Sequence, residues 1–280
     1  MLLLTLVALQ ACSTIKLGYN SAPGLGYWWL DGYLDVNELQ SVRLREDLDQ
    51  LQQWHRNSEL PQYADLLQRA QGLMAGTAVT PVQACAFVAE AQQQIDDMLA
   101  RAEPAAVQLV LSMTPTQLEV LEAKYTKSNA EFRKQWLRPS ADEMRKKRFE
   151  KALDRAESIY GRLDDSQRAM LRQQVDTSSF DPQFTNTERL RRQQDTVQTL
   201  SRVLGRNNTP EKTAQALRGL AERYRRSPVP QYLAYQQRQI DEGCQGFAAA
   251  HNAATPAQRD HAVKRLKAYE RDLRDLAAQR

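Results

Sequence analysis

Nucleophilic or metal-assisted chemistry would have to come from the three cysteines and three histidines of this chain of 280 residues. The histidines are His55, His251 and His261, and their spacing does not place two of them side by side on a helix. The sequence also lacks the HExxH, G-x-S-x-G, P-loop and Rossmann signatures. We therefore predict no metal site, no cofactor and no histidine-based catalysis.

Cys12 follows a run of mostly apolar residues, Leu2–Ala11, which is too short to cross a bilayer because a spanning helix needs about 20 residues. The segment Leu9–Cys12 (LQAC) resembles the lipobox of bacterial lipoproteins, in which a signal peptidase cuts before the cysteine and the thiol carries a diacylglyceryl group. The resemblance implies that residues 1–11 are a signal peptide and that Cys12 becomes the acylated first residue. In the lipoproteins that this segment resembles, a serine directly after the cysteine accompanies sorting to the outer membrane, and Ser13 fits that pattern. The alternative is a buried N-terminal helix with an incidental cysteine.

The other two cysteines, Cys85 and Cys244, are predicted to form a disulfide, because an oxidising periplasm favours a bonded pair. Such a bond would join an early helix to a late one across a long loop. The chain-entropy argument gives it about 4–5 kcal/mol of stabilisation. The alternative is a pair of buried free thiols.

Carboxylates and basic clusters show no catalytic pattern. The adjacent pairs at 96–97 and 164–165 point in different directions on a helix, so neither looks like an acid–base pair. The 38 basic and 34 acidic residues nearly balance. Basic clusters with acidic residues within a turn are typical of solvated helix faces, and three occur, at Arg145–Arg148, Arg189–Arg192 and Arg223–Arg226. We predict no nucleic-acid partner.

Tyr27–Asp35 (YWWLDGYLD) is the least ordinary segment, because it holds two of the four tryptophans and lies close to Cys12. We interpret it as packing at the start of the core, with an interfacial aromatic anchor at the lipid headgroups as the alternative. A second dense stretch, Trp54–Tyr63, is expected to dock on the first.

Helix starts follow a repeated pattern in which Thr or Asp is followed three positions later by Gln or Glu. In this capping box, each of the two side chains bonds the backbone amide of the other residue. The pattern occurs at 79–83, 113–117, 163–167 and 254–258, and loosely at 34–38.

A mean hydropathy of −0.63 and a wealth of good helix formers agree with that pattern. We predict an all-α, elongated bundle of about ten or eleven helices. Its helices are predicted at 35–58, 61–75, 81–101, 104–112, 115–136, 140–160, 164–176, 183–204, 210–226, 229–251 and 256–279.

Pro- and Gly-containing breaks set the predicted organisation. Residues 12–26 are predicted to be a lipidated tether and residues 27–280 a helical domain. Two lobes parted near 178–187 are the alternative to a single body.

The aromatic segments carry a resemblance to a family of helical proteobacterial lipoproteins of unknown function. It rests on Trp28, Trp29, Asp31, Tyr33, Trp54, His55, Glu59 and Pro61. The resemblance implies a location and no activity, and we interpret these residues as structural. The Thr-Pro-x-Gln helix starts are also similar to the LTxxQ motifs of the Spy and CpxP periplasmic chaperones, which hold unfolded clients. A capping box alone also explains them.

These observations favour an outer-membrane lipoprotein on the periplasmic face that acts as a non-enzymatic binding or chaperone-like scaffold for unfolded or envelope proteins. The alternatives are an enzyme that acts on envelope polymers through unidentified carboxylates, and a structural spacer. An enzyme would bring acidic residues with raised pKa values together in a closed pocket. A binding protein would show a concave face lined by apolar and basic side chains.

Overall fold

The computed structural model describes residues 14–204 and 208–279, so the predicted signal peptide and Cys12 lie outside the described residues. The described part is all-α, as predicted, and none of its residues forms a strand. Short π-helical turns follow α3 at His55–Glu59 and α6 at Arg133–Leu137. The helices are α1 (Thr14–Asn20), α2 (Ala22–Leu34), α3 (Glu38–Trp54), α4 (Leu60–Ala75), α5 (Pro81–Ser112), α6 (Pro115–Phe132), α7 (Ala141–Tyr160), α8 (Asp165–Thr177), α9 (Pro182–Val203), α10 (Pro210–Arg225), α11 (Pro230–Asn252) and α12 (Pro256–Ala278).

Helices α1 and α2 occupy most of the described part of the segment predicted to be a tether, so that prediction is wrong for these residues. Contacts with the body of the protein override the low helix propensity of the glycines there. Gln52 of α3 donates to the Tyr19 carbonyl oxygen at 2.5 Å. Lys16 Nζ lies 2.6 Å from an oxygen of Asp275 on α12. Among the described residues, no helix has both the length and the apolarity to span a membrane.

Two prolines that were predicted to end helices do not do so. At Pro61 the chain continues from α3 into α4 through a π turn, in which the Leu60 amide donates to the His55 carbonyl. Pro104 lies inside α5, which runs unbroken through residues 102–103, the predicted gap between two helices. Proline removes one backbone donor, and the contacts of α5 with α3, α10 and α11 hold the helix together around it.

Four of the predicted capping boxes are confirmed, and the fifth is displaced. The displaced box begins at Asn37 and closes on Gln40, whereas Asp35 takes a left-handed conformation with φ 48° at the end of α2. A sixth box at Ser140–Glu143, which starts α7, was not predicted. The confirmed boxes are Thr80–Gln83, Thr114–Gln117, Asp164–Gln167 and Thr255–Gln258.

Four of these box glutamines meet in two pairs, which we call the glutamine junctions. In the first junction, Gln40 donates to Gln117 Oε1 at 3.2 Å and Gln117 donates to Gln40 Oε1 at 2.7 Å. Each amide also donates to a backbone carbonyl two residues before the other box, at Ser112 and Asp35 respectively. The starts of α3 and α6 are therefore joined by buried amide groups that satisfy one another.

The second junction repeats this arrangement at the starts of α8 and α12. Gln167 and Gln258 exchange hydrogen bonds of 2.7 and 2.9 Å. Gln167 also donates to the Ala253 carbonyl and Gln258 to the Arg162 carbonyl, both at 2.9 Å. The same local sequence pattern thus produces the same long-range joint twice.

Two buried apolar clusters make up the core, and each combines residues from both sides of 178–187. One is formed by α4, α7, α8 and α12, and the other by α2, α5, α6 and α9. The first half of α5 pairs with α11, where Cys85 Sγ lies 1.98 Å from Cys244 Sγ. This bonding distance agrees with the predicted disulfide.

Candidate functional site

Two adjoining depressions run along α9, α10 and α11. One, of about 510 Å³, lies between α2, α6 and α9, and the other, of about 900 Å³, lies between α5, α10 and α11. Arg192 and Tyr224 line both. We call the combined surface the arginine–tyrosine groove. Its aromatic and basic wall residues are Trp29, Tyr33, Tyr125, Tyr224, Tyr232, Arg189, Arg192, Arg225 and Arg226.

The rings and guanidinium groups of the groove contact one another. The Arg192 guanidinium lies 4.4 Å from the ring centroid of Tyr224 and 5.7 Å from that of Tyr232. Tyr33 from α2 meets Tyr125 from α6 edge to face at 6.3 Å. Cation–π contacts of this kind fix the guanidinium plane and leave its outer N–H groups available to a ligand.

A buried carboxylate positions Arg192. Glu188, one turn earlier on α9, is only 3% exposed and accepts from Arg191 Nε at 2.8 Å and Arg192 Nε at 2.9 Å. Burial alone would raise the pKa of Glu188, but the hydrogen bonds from these two arginines outweigh it and leave that pKa below its usual value. Glu188 therefore stays ionised at neutral pH and anchors the groove's central cation.

A second carboxylate fastens α10 to α9. Asp195 accepts from Arg223 Nε at 2.9 Å and from a terminal nitrogen of the same guanidinium at 2.8 Å. This two-pronged bond lowers the pKa of Asp195, and Arg191 adds a further contact at 3.4 Å. The network keeps the end of α10, and with it Tyr224, against α9.

The prediction that the basic clusters are solvated faces is therefore wrong for Arg191, Arg192 and Arg223, which face buried or half-buried carboxylates. It is also wrong for Arg148, whose guanidinium lies 4.6 Å from the ring centroid of Phe180. Of the acidic neighbours within a turn, Glu188 pairs with its arginines on the inward side of α9, whereas the pairs of Asp142 with Arg145 and of Glu222 with Arg225 are exposed.

The other carboxylates of the groove are also held by arginine. Arg225 forms ion pairs with both Asp96 and Glu222. A general acid for work at neutral pH needs a raised pKa, and the pKa of Glu188 is shifted in the opposite direction. Glu188 therefore lacks the raised pKa that such a role requires.

Trp28 and Trp29 lie largely outside the core, with 72% and 56% of their surfaces exposed. The interpretation that they pack at the start of the core is wrong for these two residues, because α2 buries its opposite side. That side carries Leu34, which belongs to a core cluster. Tyr33, one turn after Trp29, packs against the same cluster and has its ring centroid 4.7 Å from that of Trp29. Asp31 has a local role, since its Oδ1 accepts from the Val36 amide at 3.1 Å.

The second aromatic stretch, Trp54–Tyr63, contacts α1, which precedes the Tyr27–Asp35 segment in the chain. His55 Nδ1 lies 3.1 Å from the Tyr19 hydroxyl, and the His55 ring meets Tyr63 edge to face at 5.2 Å. Trp54 is half-buried beside His55. The π turn places these rings on one side, and π turns often occur at functional positions.

Glu59, at the end of that π turn, was interpreted as structural and has an unusual environment. It is 3% exposed, and its Oε1 accepts from Gln62 at 3.3 Å. Its buried Oε2 has no hydrogen-bond partner among the described residues. Burial and then the nearby charge of Asp97 raise the pKa of Glu59. In the sequence, Glu59 was one of the residues that carry the family resemblance.

The remaining histidines have structural partners. His251 is fully buried, and its Nε2 donates to the Gly76 carbonyl at 3.2 Å while its Nδ1 accepts from the Tyr160 hydroxyl at 3.1 Å. His261 Nδ1 donates to the Ile159 carbonyl at 2.9 Å. Within the described ranges, no group of three or more His, Cys, Asp or Glu side chains is arranged to hold a metal ion.

Comparison with known proteins identifies a family but no activity. The profile of a family described as "Family of unknown function (DUF6279)" matches residues 32–232, which covers most of the chain and most of the groove. No curated protein and no solved structure matches the chain.

Proposed function

Because the chain belongs to DUF6279, a family of unknown function, we propose a function from its own surfaces. We propose that the protein is a lipid-anchored, non-enzymatic component of the cell envelope that binds polypeptide segments in the arginine–tyrosine groove, as a chaperone or scaffold does. The observation that carries the proposal is Arg192, which is fixed by buried Glu188 and stacked beside Tyr224 and Tyr232.

The groove has the composition of a protein-binding surface. Tyrosine, tryptophan and arginine dominate the energetics of protein interfaces, because they bury large areas and still offer hydrogen bonds. Gln193 and Gln236 add amide groups that match a peptide backbone. Gln236 lines the groove, and its buried Oε1 has no partner among the described residues.

Two features support an envelope location. The LQAC segment ending at Cys12 resembles a lipobox, and two or three acyl chains on one cysteine hold a protein firmly on a membrane. The bonded pair Cys85–Cys244 is typical of an oxidising compartment. By the resemblance of Ser13 to the sorting signal, we place the protein on the periplasmic face of the outer membrane.

Binding is tested with a permanently unfolded probe, fluorescein-labelled reduced and carboxymethylated α-lactalbumin, titrated with purified protein. Arg192→Gln and Tyr224→Ala should each weaken binding at least about tenfold, which corresponds to about 1.4 kcal/mol. The matched control is Arg265→Gln, which removes an arginine that lies 5.0 Å from the Tyr269 ring outside the groove and should leave binding unchanged. Groove variants that bind like the wild type would overturn the proposed site.

Anchoring is tested separately by intact mass and membrane partitioning of the full chain expressed with its own leader, beside Cys12→Ala. The wild type should be shortened, acylated and membrane-bound, and the variant should be none of these. A full-length wild-type chain in the soluble fraction would contradict the proposed location.

A further inference from the structure

The first two helices form one nearly continuous helical stretch with an apolar outer side. Helical hydrogen bonds bridge the junction at Ser21, from its own amide to the Leu17 carbonyl at 3.2 Å and from the Leu25 amide to its carbonyl at 3.0 Å. Leu17, Leu25, Trp28 and Trp29 share one side of this stretch by helical spacing. Each is more than half exposed, Trp28 the most at 72%.

The row itself contains no charged residue. Residues 14–34 contain only two charged side chains, Lys16 and Asp31. Lys16 is bound to Asp272 and Asp275 of α12, and Asp31 accepts from the Val36 amide at the end of α2. An exposed row of leucine and tryptophan without charges is unusual for a water-facing surface and marks an interaction site.

Its position relative to Cys12 identifies the occupant. Thr14, the first residue of α1, is two residues after Cys12, so their Cα atoms lie within about 7 Å of one another. Trp28 is then within about 21 Å of Thr14 along the helix. If Cys12 is acylated, as the proposed function holds, the whole row lies within reach of the bilayer surface that takes up the acyl chains.

We infer that Leu17, Leu25, Trp28 and Trp29 form a membrane-docking face, whose partner is the lipid surface in which Cys12 is anchored. Tryptophan prefers the headgroup region of a bilayer, where its ring is partly buried and its N–H stays hydrated. A helical stretch with such a side lies in the plane of the interface. Trp29 also lines the arginine–tyrosine groove, so this docking holds the α2 wall of the groove at the membrane surface.

The test places the acylated protein in vesicles of phosphatidylethanolamine and phosphatidylglycerol whose acyl chains carry bromine, which quenches nearby tryptophan emission. Wild-type emission should fall relative to non-brominated vesicles. The fall should be lost in the double variant Trp28→Phe and Trp29→Phe, in which Trp54 and Trp136 remain.

A matched control puts a new reporter at Val82, which is 79% exposed at the start of α5. Val82→Trp in the double-variant background should show no quenching by brominated lipid and strong quenching by acrylamide in water. If Trp28 and Trp29 also showed no quenching by brominated lipid and strong quenching by acrylamide, the proposed docking face would be wrong, but the proposed acyl anchor would stand. Wild-type protein that does not remain with the vesicles would overturn both the anchor and the docking face.

Discussion

Glu59 and Glu188 are buried to the same extent, each 3% exposed, but their carboxylates have different surroundings. Glu188 is held by two guanidinium groups, which lower its pKa. Glu59 receives one hydrogen bond from Gln62 and lies near Asp97, and its pKa is raised.

The difference shows that burial alone does not decide the charge of these acids. Burial raises the pKa of any carboxyl group, and positive partners reverse that effect. Glu188 therefore acts as a fixed charge that anchors the groove. Glu59 is an acid whose ionised form is disfavoured by its site. The first should be costly to neutralise, and the second should not.

Removal of the Glu188 charge should have the largest effect. Glu188→Gln leaves Arg192 without its counter-charge and Arg191 with only the 3.4 Å contact to Asp195, and we expect the free energy of unfolding at pH 7 to fall by about 3 kcal/mol. In the wild type this contribution is present above pH 4.5, the usual value, and is lost as the pH falls through the lowered pKa of Glu188. Urea unfolding at pH 7 and in acid measures both.

The control for this prediction is Glu222→Gln. Glu222 also pairs with an arginine, but it is 51% exposed, and exposed pairs contribute little. An equal loss of stability in both variants would mean that burial of the Glu188 pair has no special role.

The glutamine junctions extend the comparison to buried groups that are uncharged and whose donors and acceptors have hydrogen-bond partners. Gln117→Leu leaves the Asp35 carbonyl without its side-chain donor and the Gln40 amide with only its bonds to Ser112 and Asn37, and we expect a loss of about 2 kcal/mol in unfolding free energy. Gln83→Leu alters an exposed capping box and should cost less than about 1 kcal/mol. Urea unfolding of the two variants side by side decides whether the junction or the capping box alone matters.

In contrast to Glu188→Gln, Glu59→Gln should change the stability little at pH 7, and the contribution of Glu59 should have the opposite pH dependence. Because the Glu59 pKa is raised, its protonation stabilises the fold, and this stabilisation is full below pH 4.5 and lost as the pH rises through the raised pKa. The glutamine variant should equal the wild type at pH 7 within about 1 kcal/mol. It should also lose the gain in stability that the wild type shows on mild acidification. A large destabilisation at pH 7 would show that Glu59 has a partner when ionised.

Asp97→Asn should have the smallest effect. Loss of the neighbouring negative charge should move the pKa of Glu59 part of the way back toward its usual value, because burial, the larger cause, remains. Carbon-detected titration of the Glu59 carboxyl by NMR measures this shift. An unchanged pKa would assign the effect to burial alone.

Local features of the fold could be predicted from the sequence, because a capping box needs only residues three positions apart. Thr80, Thr114, Asp164 and Thr255 mark true helix starts for that reason. The meeting of Gln40 with Gln117 could not be predicted, since it depends on how distant helices pack. Pro104 was misleading for the same reason, because tertiary contacts sustain α5 through it.

The groove was only partly accessible to sequence reasoning. The clusters that contain Arg192 and Arg223 were identified, but their interpretation as solvated assumed that their acidic neighbours also faced water. Which side of a helix another helix covers is not a local property. Glu188, followed by arginines three and four positions later, was the one signal in the sequence of an inward-facing pair.

The glutamine junctions behave as self-complementary connectors. A carboxylate only accepts hydrogen bonds, whereas an amide presents a donor and an acceptor together, so two identical helix starts can fit each other without opposite charges. Such a joint does not titrate and is not weakened by salt screening. The glutamine junctions should therefore hold their helices together when the pH or the ionic strength changes. The same pair of capping boxes could be introduced between helices of other bundles.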